Sequence, residues 1–183
     1  MINATKSVTD AELASAATYY ASLPKQSRYH VIETNRAPAT RPNNYGWLEL
    51  VPGGAAEPIR GRIIEVPEDT RRMFLSDPHV GIVIYVPLGA VKRGEALVGN
   101  GGPSGLPCAG CHGLEFQGMG EAPPIIGRSA AYIARMLWDI KTGARSGPAV
   151  IPMQVTVAAL TEADITDIAA FLSSRKSQTG PLH

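Results

Sequence analysis

The stretch Cys108-Ala109-Gly110-Cys111-His112 decides how the chain folds, because it holds both cysteines of the 183 residues. Two cysteines separated by two residues and followed directly by a histidine arise in roughly one of four thousand random placements. The pattern therefore indicates a specific chemical use of two thiols and one imidazole.

A C-x-x-C-H pattern is the attachment site of a c-type haem. Each thiol adds across one haem vinyl group, and the gap of two residues fits the distance between the vinyls. His112 then falls beneath the iron, where its imidazole is an axial ligand. We expect one covalent haem c per chain, attached through Cys108 and Cys111.

Three other uses of the cysteines stay open. A zinc site needs further Cys or His ligands at paired spacing, whereas His30, His79 and His183 are scattered singly. A thioredoxin-like dithiol belongs between a strand and a helix, but Gly- and Pro-rich sequence precedes Cys108. A structural disulfide is compatible with an exported chain but leaves His112 without a role.

Composition favours a globular chain with a bound cofactor. Apolar residues make up 44% of the chain and aromatic residues only 6%, so a cofactor could supply part of the core. Seventeen basic and sixteen acidic residues nearly cancel, and no basic cluster interleaved with aromatics suits a nucleic acid. The longest apolar run, residues 80–91, contains Pro87 and is too short to span a bilayer. We expect neither nucleic-acid binding nor a membrane-spanning helix.

The second axial ligand decides the function, because a methionine there gives a six-coordinate electron carrier and an open iron binds small molecules. Met153 lies in a Gly- and Pro-containing stretch that predicts an irregular loop, able to cover a haem face. Met119 follows the haem motif too closely to reach the opposite face. Met136 and Met73 are expected to pack. We therefore expect Met153 to be the ligand.

Residues 92–174 resemble a class I cytochrome c domain, because several separated landmarks follow in that family's order. Residues 92–97 resemble its first helix, in which Gly94 allows close crossing with a terminal helix that carries Phe171. The family's fold is mainly α-helical, around one covalent haem. The resemblance therefore implies that fold for this part of the chain.

The segment Pro123-Pro124-Ile125-Ile126-Gly127 resembles the family's proximal loop. In that loop a proline carbonyl accepts a hydrogen bond from the haem histidine and fixes its orientation. The resemblance assigns this role to Pro123 and places Ile125 against the haem.

Residues 132–143 have apolar side chains at helical spacing and resemble the family's middle helix. The resemblance implies that Tyr132 and Trp138 line the haem and that Arg128 and Arg145 neutralise its propionates. Ordinary helix packing and solvated surface charge are the alternatives for these side chains.

The start of the chain repeats its end. Residues 9–19 align with residues 161–171 at an offset of 152, which also places Met1 opposite Met153. Both segments predict a helix with a threonine N-cap, although this helix start is common enough to recur by chance. Residues 1–23 therefore resemble the methionine loop and closing helix of a second haem domain.

This arrangement resembles the C-terminal part of a dihaem class I cytochrome. One interpretation is that the sequence is truncated, with an export signal and a first haem domain upstream. The other is that Met1 is a true start and the first helix packs on the haem domain or on a partner. We favour truncation, because no export signal is found at Met1 and we expect the protein in the periplasm.

The sequence thus predicts a helical haem domain preceded by a small β-containing connector and an N-terminal helix. The runs 47–51, 62–66 and 82–86 predict strands in the connector, which is expected to set the geometry between haems or toward a partner. The predicted segments are an N-terminal helix at residues 1–23, the connector at 24–90, the cytochrome c domain at 91–176 and a tail at 177–183.

The expected function is one-electron transfer without chemical change of a substrate, so the chain is not expected to be an enzyme. Its partners would be redox proteins such as an oxidase, a reductase or a dehydrogenase. An alternative is the haem subunit of an oxidoreductase complex, such as a dehydrogenase or a nitrite reductase. An enzyme or gas sensor with an open iron site would require that Met153 does not bind the iron.

Overall fold

The computed structural model describes residues 7–23 and 27–176. Residues 27–176 form one compact unit, whereas the first helix belongs to a separate unit. The alignment of Met1 with Met153 and the predicted tail at residues 177–183 lie outside the described residues.

Helices dominate the second half of the chain and strands the first. The α-helices are α1 (Asp10–Ser22), α2 (Thr70–Phe74), α3 (Ala90–Asn100), α4 (Ala109–His112), α5 (Ala130–Lys141), α6 (Ile151–Val157) and α7 (Glu162–Ser174). The strands are β1 (Tyr29–Glu33), β2 (Arg36–Ala37), β3 (Thr40–Pro42), β4 (Leu48–Leu50), β5 (Glu57–Pro58), β6 (Ile64–Pro67) and β7 (Ile82–Val86). Short 3-10 turns span Gly102–Ser104 and Pro148–Val150.

The helix α1 has the same local design as the closing helix α7. Both contain 13 residues. The hydroxyl of Thr9 accepts a hydrogen bond from the amide of Glu12, and Thr161 and Asp164 form the same capping box. The first and last residues of α1 lie 152 positions before those of α7, which is the offset found in the sequence. The local structure therefore agrees with the internal repeat.

A three-stranded sheet forms the centre of the connector, in the order β1-β7-β6. The strand β1 runs parallel to β7, with Tyr29 opposite Ile82, and β6 runs antiparallel to β7, with Glu65 opposite Ile84. The pairs β2-β5 and β3-β4 form two small ribbons. The predicted strands at 47–51, 62–66 and 82–86 correspond to β4, β6 and β7, whereas the other four were not predicted.

The sheet shares its hydrophobic core with the helices. Ile84 and Val86 of β7 belong to the same buried cluster as Val98 of α3, Ile133 of α5 and Ile168 of α7. The residues on either side of position 90 therefore pack in one core.

The helices α3 and α7 cross closely at Gly94. A Cβ atom at this glycine would lie 2.5 Å from the carbonyl carbon of Asp167 and 2.9 Å from Cβ of Phe171. These separations leave no room for a side chain at the crossing. The contact of Gly94 with the helix that carries Phe171 is the one that the sequence predicts.

An ion pair joins the same two helices beside the crossing. Arg93 donates from Nε and Nη2 to the two carboxylate oxygens of Asp167, at 2.7 and 2.8 Å. The hydrogen bonds to Asp167 raise the pKa of Arg93 above its ordinary value. The carboxylate is buried and the arginine side chain is half exposed.

Replacing Asp167 with alanine is expected to lower the free energy of unfolding by about 1–2 kcal/mol. The change removes two charge-assisted hydrogen bonds, but water solvates part of the Arg93 side chain that is left. Urea unfolding would measure the change. The matched control is Glu57→Ala, which breaks an exposed pair with Arg62 at 3.9 Å and should leave stability unchanged. Equal losses in both variants would contradict the expected strength of the Arg93–Asp167 pair.

Candidate functional site

The helix α4 places the two cysteines and the histidine on one side of a single turn. The amide of His112 donates to the carbonyl of Cys108 at 3.0 Å, and residues three and four apart in a helix are neighbours. Both cysteines are free thiols. Burial raises the pKa of the Cys108 thiol, whereas Cys111 is exposed.

The imidazole of His112 is buried and held by one hydrogen bond. Its Nδ1 lies 2.8 Å from the carbonyl oxygen of Pro123. Because a carbonyl only accepts, Nδ1 carries the hydrogen and donates it. The other nitrogen, Nε2, therefore keeps its lone pair for a metal ion.

The loop between His112 and Pro123 is closed by backbone contacts. The amide of Gly118 donates to the carbonyl of His112 at 2.9 Å, and the amide of Ile125 donates to the carbonyl of Phe116 at 3.0 Å. Gly118 has a φ of 91°, which favours glycine, and a Cβ there would lie 2.8 Å from the carbonyl oxygen of Ala122. These contacts hold the Pro123 carbonyl at the imidazole.

A cavity of about 380 Å³ opens beside His112, and its lining is mainly apolar. The predicted site residues that line it are His112, Pro123, Ile125, Arg128, Tyr132, Arg145 and Met153. The cavity thus brings together predicted residues that are separated by up to 41 positions in the chain.

Three predicted site residues lie outside the lining of this cavity. Cys108 and Cys111 belong to the adjacent turn, and the side chain of Trp138 is 41% exposed on α5. The predictions also missed Glu121, a carboxylate in the lining that no motif in the sequence indicates.

Two arginine side chains border the cavity. Nε of Arg128 donates to the carbonyl of Pro124 at 2.7 Å. Nη1 of Arg145 donates to Sδ of Met136 at 3.0 Å. Each guanidinium therefore has further N–H groups for an anionic group at the cavity.

Met153 lines the cavity from a helix and not from the irregular loop that the sequence predicts. The helix α6 follows the 3-10 turn and includes Pro152 in its first turn. A proline is accepted there because the first amides of a helix have no partner within it. Met136 of α5 lines the same cavity, so two thioethers are available. The exposed Met119 lies outside the lining, and so does the half-buried Met73.

Within residues 7–23 and 27–176, no group of three or more His, Cys, Asp or Glu side chains could hold a metal ion together. The zinc alternative for the two cysteines thus finds no further ligands in the described part of the chain. No helix in the same part is long and apolar enough to cross a membrane.

The cytochrome c family model matches residues 91–176. The chain is 37% identical over 85 residues to the thiosulfate dehydrogenase electron acceptor of Stutzerimonas stutzeri strain A1501, covering 44% of this chain and 38% of that protein. It is 34% identical over 89 residues to cytochrome c-554(548) of Halomonas halodenitrificans, covering 48% of this chain and 99% of the relative.

A crystal structure of reduced recombinant cytochrome c4 from Pseudomonas stutzeri is 32% identical in sequence, with a TM-score of 0.43. The match covers 47% of this chain and 48% of that one. The chain thus spans less than half of the electron acceptor and of the cytochrome c4, and nearly all of the Halomonas protein.

Proposed function

The chain belongs to the cytochrome c family, and we propose that it transfers single electrons through one haem c bound at the cavity beside His112. The observation that carries this proposal is the pairing of His112 with the Pro123 carbonyl, since it directs a free imidazole nitrogen to iron. The resemblance to class I c-type cytochromes agrees with the match to the family model.

The described residues fit a covalently attached haem. Two free thiols lie one helical turn apart, and the mainly apolar cavity is lined by an imidazole and two thioethers. When bound, a haem supplies an iron that gains and loses one electron. Arg128 and Arg145 can neutralise anionic groups at the cavity, for which a guanidinium is well shaped.

Each residue then has a distinct task. Cys108 and Cys111 tether the haem by thioether bonds. His112 would bind the iron through Nε2, while its Nδ1–H bond to Pro123 fixes the tautomer and makes the imidazole a better donor. Met153 would supply a thioether ligand to the iron, and such a ligand raises the reduction potential.

Other side chains of the cavity would surround the haem. Ile125 and Tyr132 line the cavity and would contact the haem, and Arg128 and Arg145 would neutralise its propionates. Trp138 is proposed to flank the haem from the exposed side of α5.

The proposed setting is the periplasm, with oxidases, reductases or dehydrogenases as redox partners. The electron acceptor of thiosulfate dehydrogenase among the relatives supports a dehydrogenase donor. The likeness of α1 to α7 supports a second haem domain upstream in the native protein. The alternative function is a haem-bearing subunit of an oxidoreductase complex.

The first test is the optical spectrum of the purified protein, oxidised and reduced, with a pyridine haemochrome count. We expect one haem c per chain and a low-spin His/Met signature. The double variant Cys108→Ala/Cys111→Ala is the control and should retain no covalent haem. A wild-type protein without covalent haem, or with high-spin iron that binds carbon monoxide, would refute the carrier function.

Affinity purification from the native host separates the two functions. A subunit of an oxidoreductase complex should copurify with a catalytic chain at constant stoichiometry. A free carrier should elute alone, because it exchanges electrons with its partner in a transient complex.

A further inference from the structure

Two carboxylates from the connector sheet bind the N-termini of two helices in the haem domain. Oε1 of Glu33, at the end of β1, accepts from the amide of Val91 in α3 at 2.8 Å. Glu65 of β6 accepts from the hydroxyl of Ser129 at 2.7 and 3.0 Å and from the amide of Ala131 at 2.9 Å. Both carboxylates thus satisfy free amides and lie at the positive end of a helix dipole.

Both caps are glutamate carboxylates at the N-terminus of a helix, but they differ in position relative to the cavity. The helix α5, which Glu65 caps, contributes Tyr132, Ile133, Met136, Leu137 and Ile140 to the lining. None of the lining residues lies on α3, which Glu33 caps.

Hydrogen bonds connect Glu65 to a residue that lines the cavity. The hydroxyl of Ser129 donates to Glu65 and accepts from the amide of Tyr132 at 3.0 Å. Tyr132 is the first residue of α5 in the lining. The carboxylate is therefore linked to the cavity through a single side chain.

The strand that carries Glu65 is a firm support. Ile64 and Val66, its neighbours in β6, are buried, and Glu65 is paired with Ile84, which is fully buried in the core. The helix α5 in turn contacts α6, the helix that carries Met153.

We propose that Glu65 is a positioning residue of the haem site, holding α5 in place so that the cavity stays closed around Met153. This inference rests on the proposed function. Loss of the carboxylate frees the first turn of α5, and the side chains of α5 that line the cavity then hold α6 less firmly. An external ligand should therefore displace Met153 from ferric iron more easily.

The test is a titration of the ferric holoprotein with imidazole, followed by its optical spectrum, in Glu65→Ala and in the matched control Glu33→Ala. Urea unfolding of both variants accompanies it. We expect both variants to lose stability, and Glu65→Ala to lose more, because Glu65 accepts from the Ser129 hydroxyl and the Ala131 amide whereas Glu33 accepts from one amide. Only Glu65→Ala should bind imidazole about tenfold more tightly, a change of about 1.4 kcal/mol.

If Glu65→Ala does not fold, the variant Glu65→Gln tests the positioning role. It keeps an oxygen acceptor for Ser129 and loses the charge, so a smaller increase in imidazole affinity is expected. Equal imidazole affinities in the Glu65 and Glu33 variants would overturn the positioning role while leaving the carrier function intact. A wild-type protein without covalent haem would overturn both.

Discussion

Replacing Met153 with alanine is expected to abolish the sulfur-to-iron charge-transfer band of the ferric protein and to open the ferrous iron to carbon monoxide. The thioether is the proposed second ligand, and its loss leaves one axial position to water or to an added ligand. The reduction potential should fall by on the order of 0.1 V, a fraction of the roughly 0.8 V range that axial ligands set. Optical titration and spectroelectrochemistry would measure both effects.

The matched control is Met136→Leu, because Met136 lines the same cavity and its sulfur accepts a hydrogen bond from Arg145. Leucine keeps the apolar volume and removes the sulfur. This variant should retain the band and carbon monoxide should still be excluded. A band that survives in Met153→Ala and disappears in Met136→Leu would assign the ligand to Met136 and contradict the proposal.

Local patterns allowed much of the helical part to be predicted. The threonine at position 161, with an acidic residue three positions later, forms the capping box that begins α7. The apolar stripe of residues 132–143 became α5, and its predicted apolar side chains all line the cavity. Trp138 follows Leu137 by one residue, a rotation of about 100° around the helix, and this places it away from the lining.

Contacts between distant segments could not be predicted from the sequence. The strand β1 pairs with β7, which lies more than 50 residues later, and no local pattern specifies that partner. The caps at Glu33 and Glu65 join residues 58 to 66 positions apart. A glutamate in a short β-branched run carries no sign that it will cap a distant helix.

The short helix around Met153 was missed for a different reason. Gly147, Pro148 and Pro152 indicate an irregular loop, and the structure does contain a 3-10 turn at Pro148–Val150. Pro152, however, occupies the first turn of α6, where it costs no hydrogen bond. The same residue type therefore fits both structures, and the packing of α6 on α5 and on the turn Gly102–Ser104 favours the helix.

Replacing Gly94 with alanine is expected to destabilise the protein by about 2 kcal/mol or more. An added methyl group would meet the backbone of Asp167 and the side chain of Phe171, so α3 and α7 must separate. The backbone contact is the decisive one, because a rigid helix cannot turn aside as a flexible side chain does. The gain of about 1 kcal/mol that alanine brings to a helix offsets only part of this cost. Thermal and urea unfolding would measure the loss.

The matched control is Gly99 on the same helix, where alanine is expected to raise stability and not to lower it. A Cβ at Gly99 meets no atom within 4 Å, so Gly99→Ala gains helix propensity without a clash and should stabilise the protein by up to about 1 kcal/mol. The two substitutions are chemically identical and differ only in what faces them. Opposite signs would establish that the close crossing of α3 and α7 excludes a side chain at position 94. A stabilising Gly94→Ala would show that the two helices can move apart at little cost, and the close crossing would then not be required for the fold.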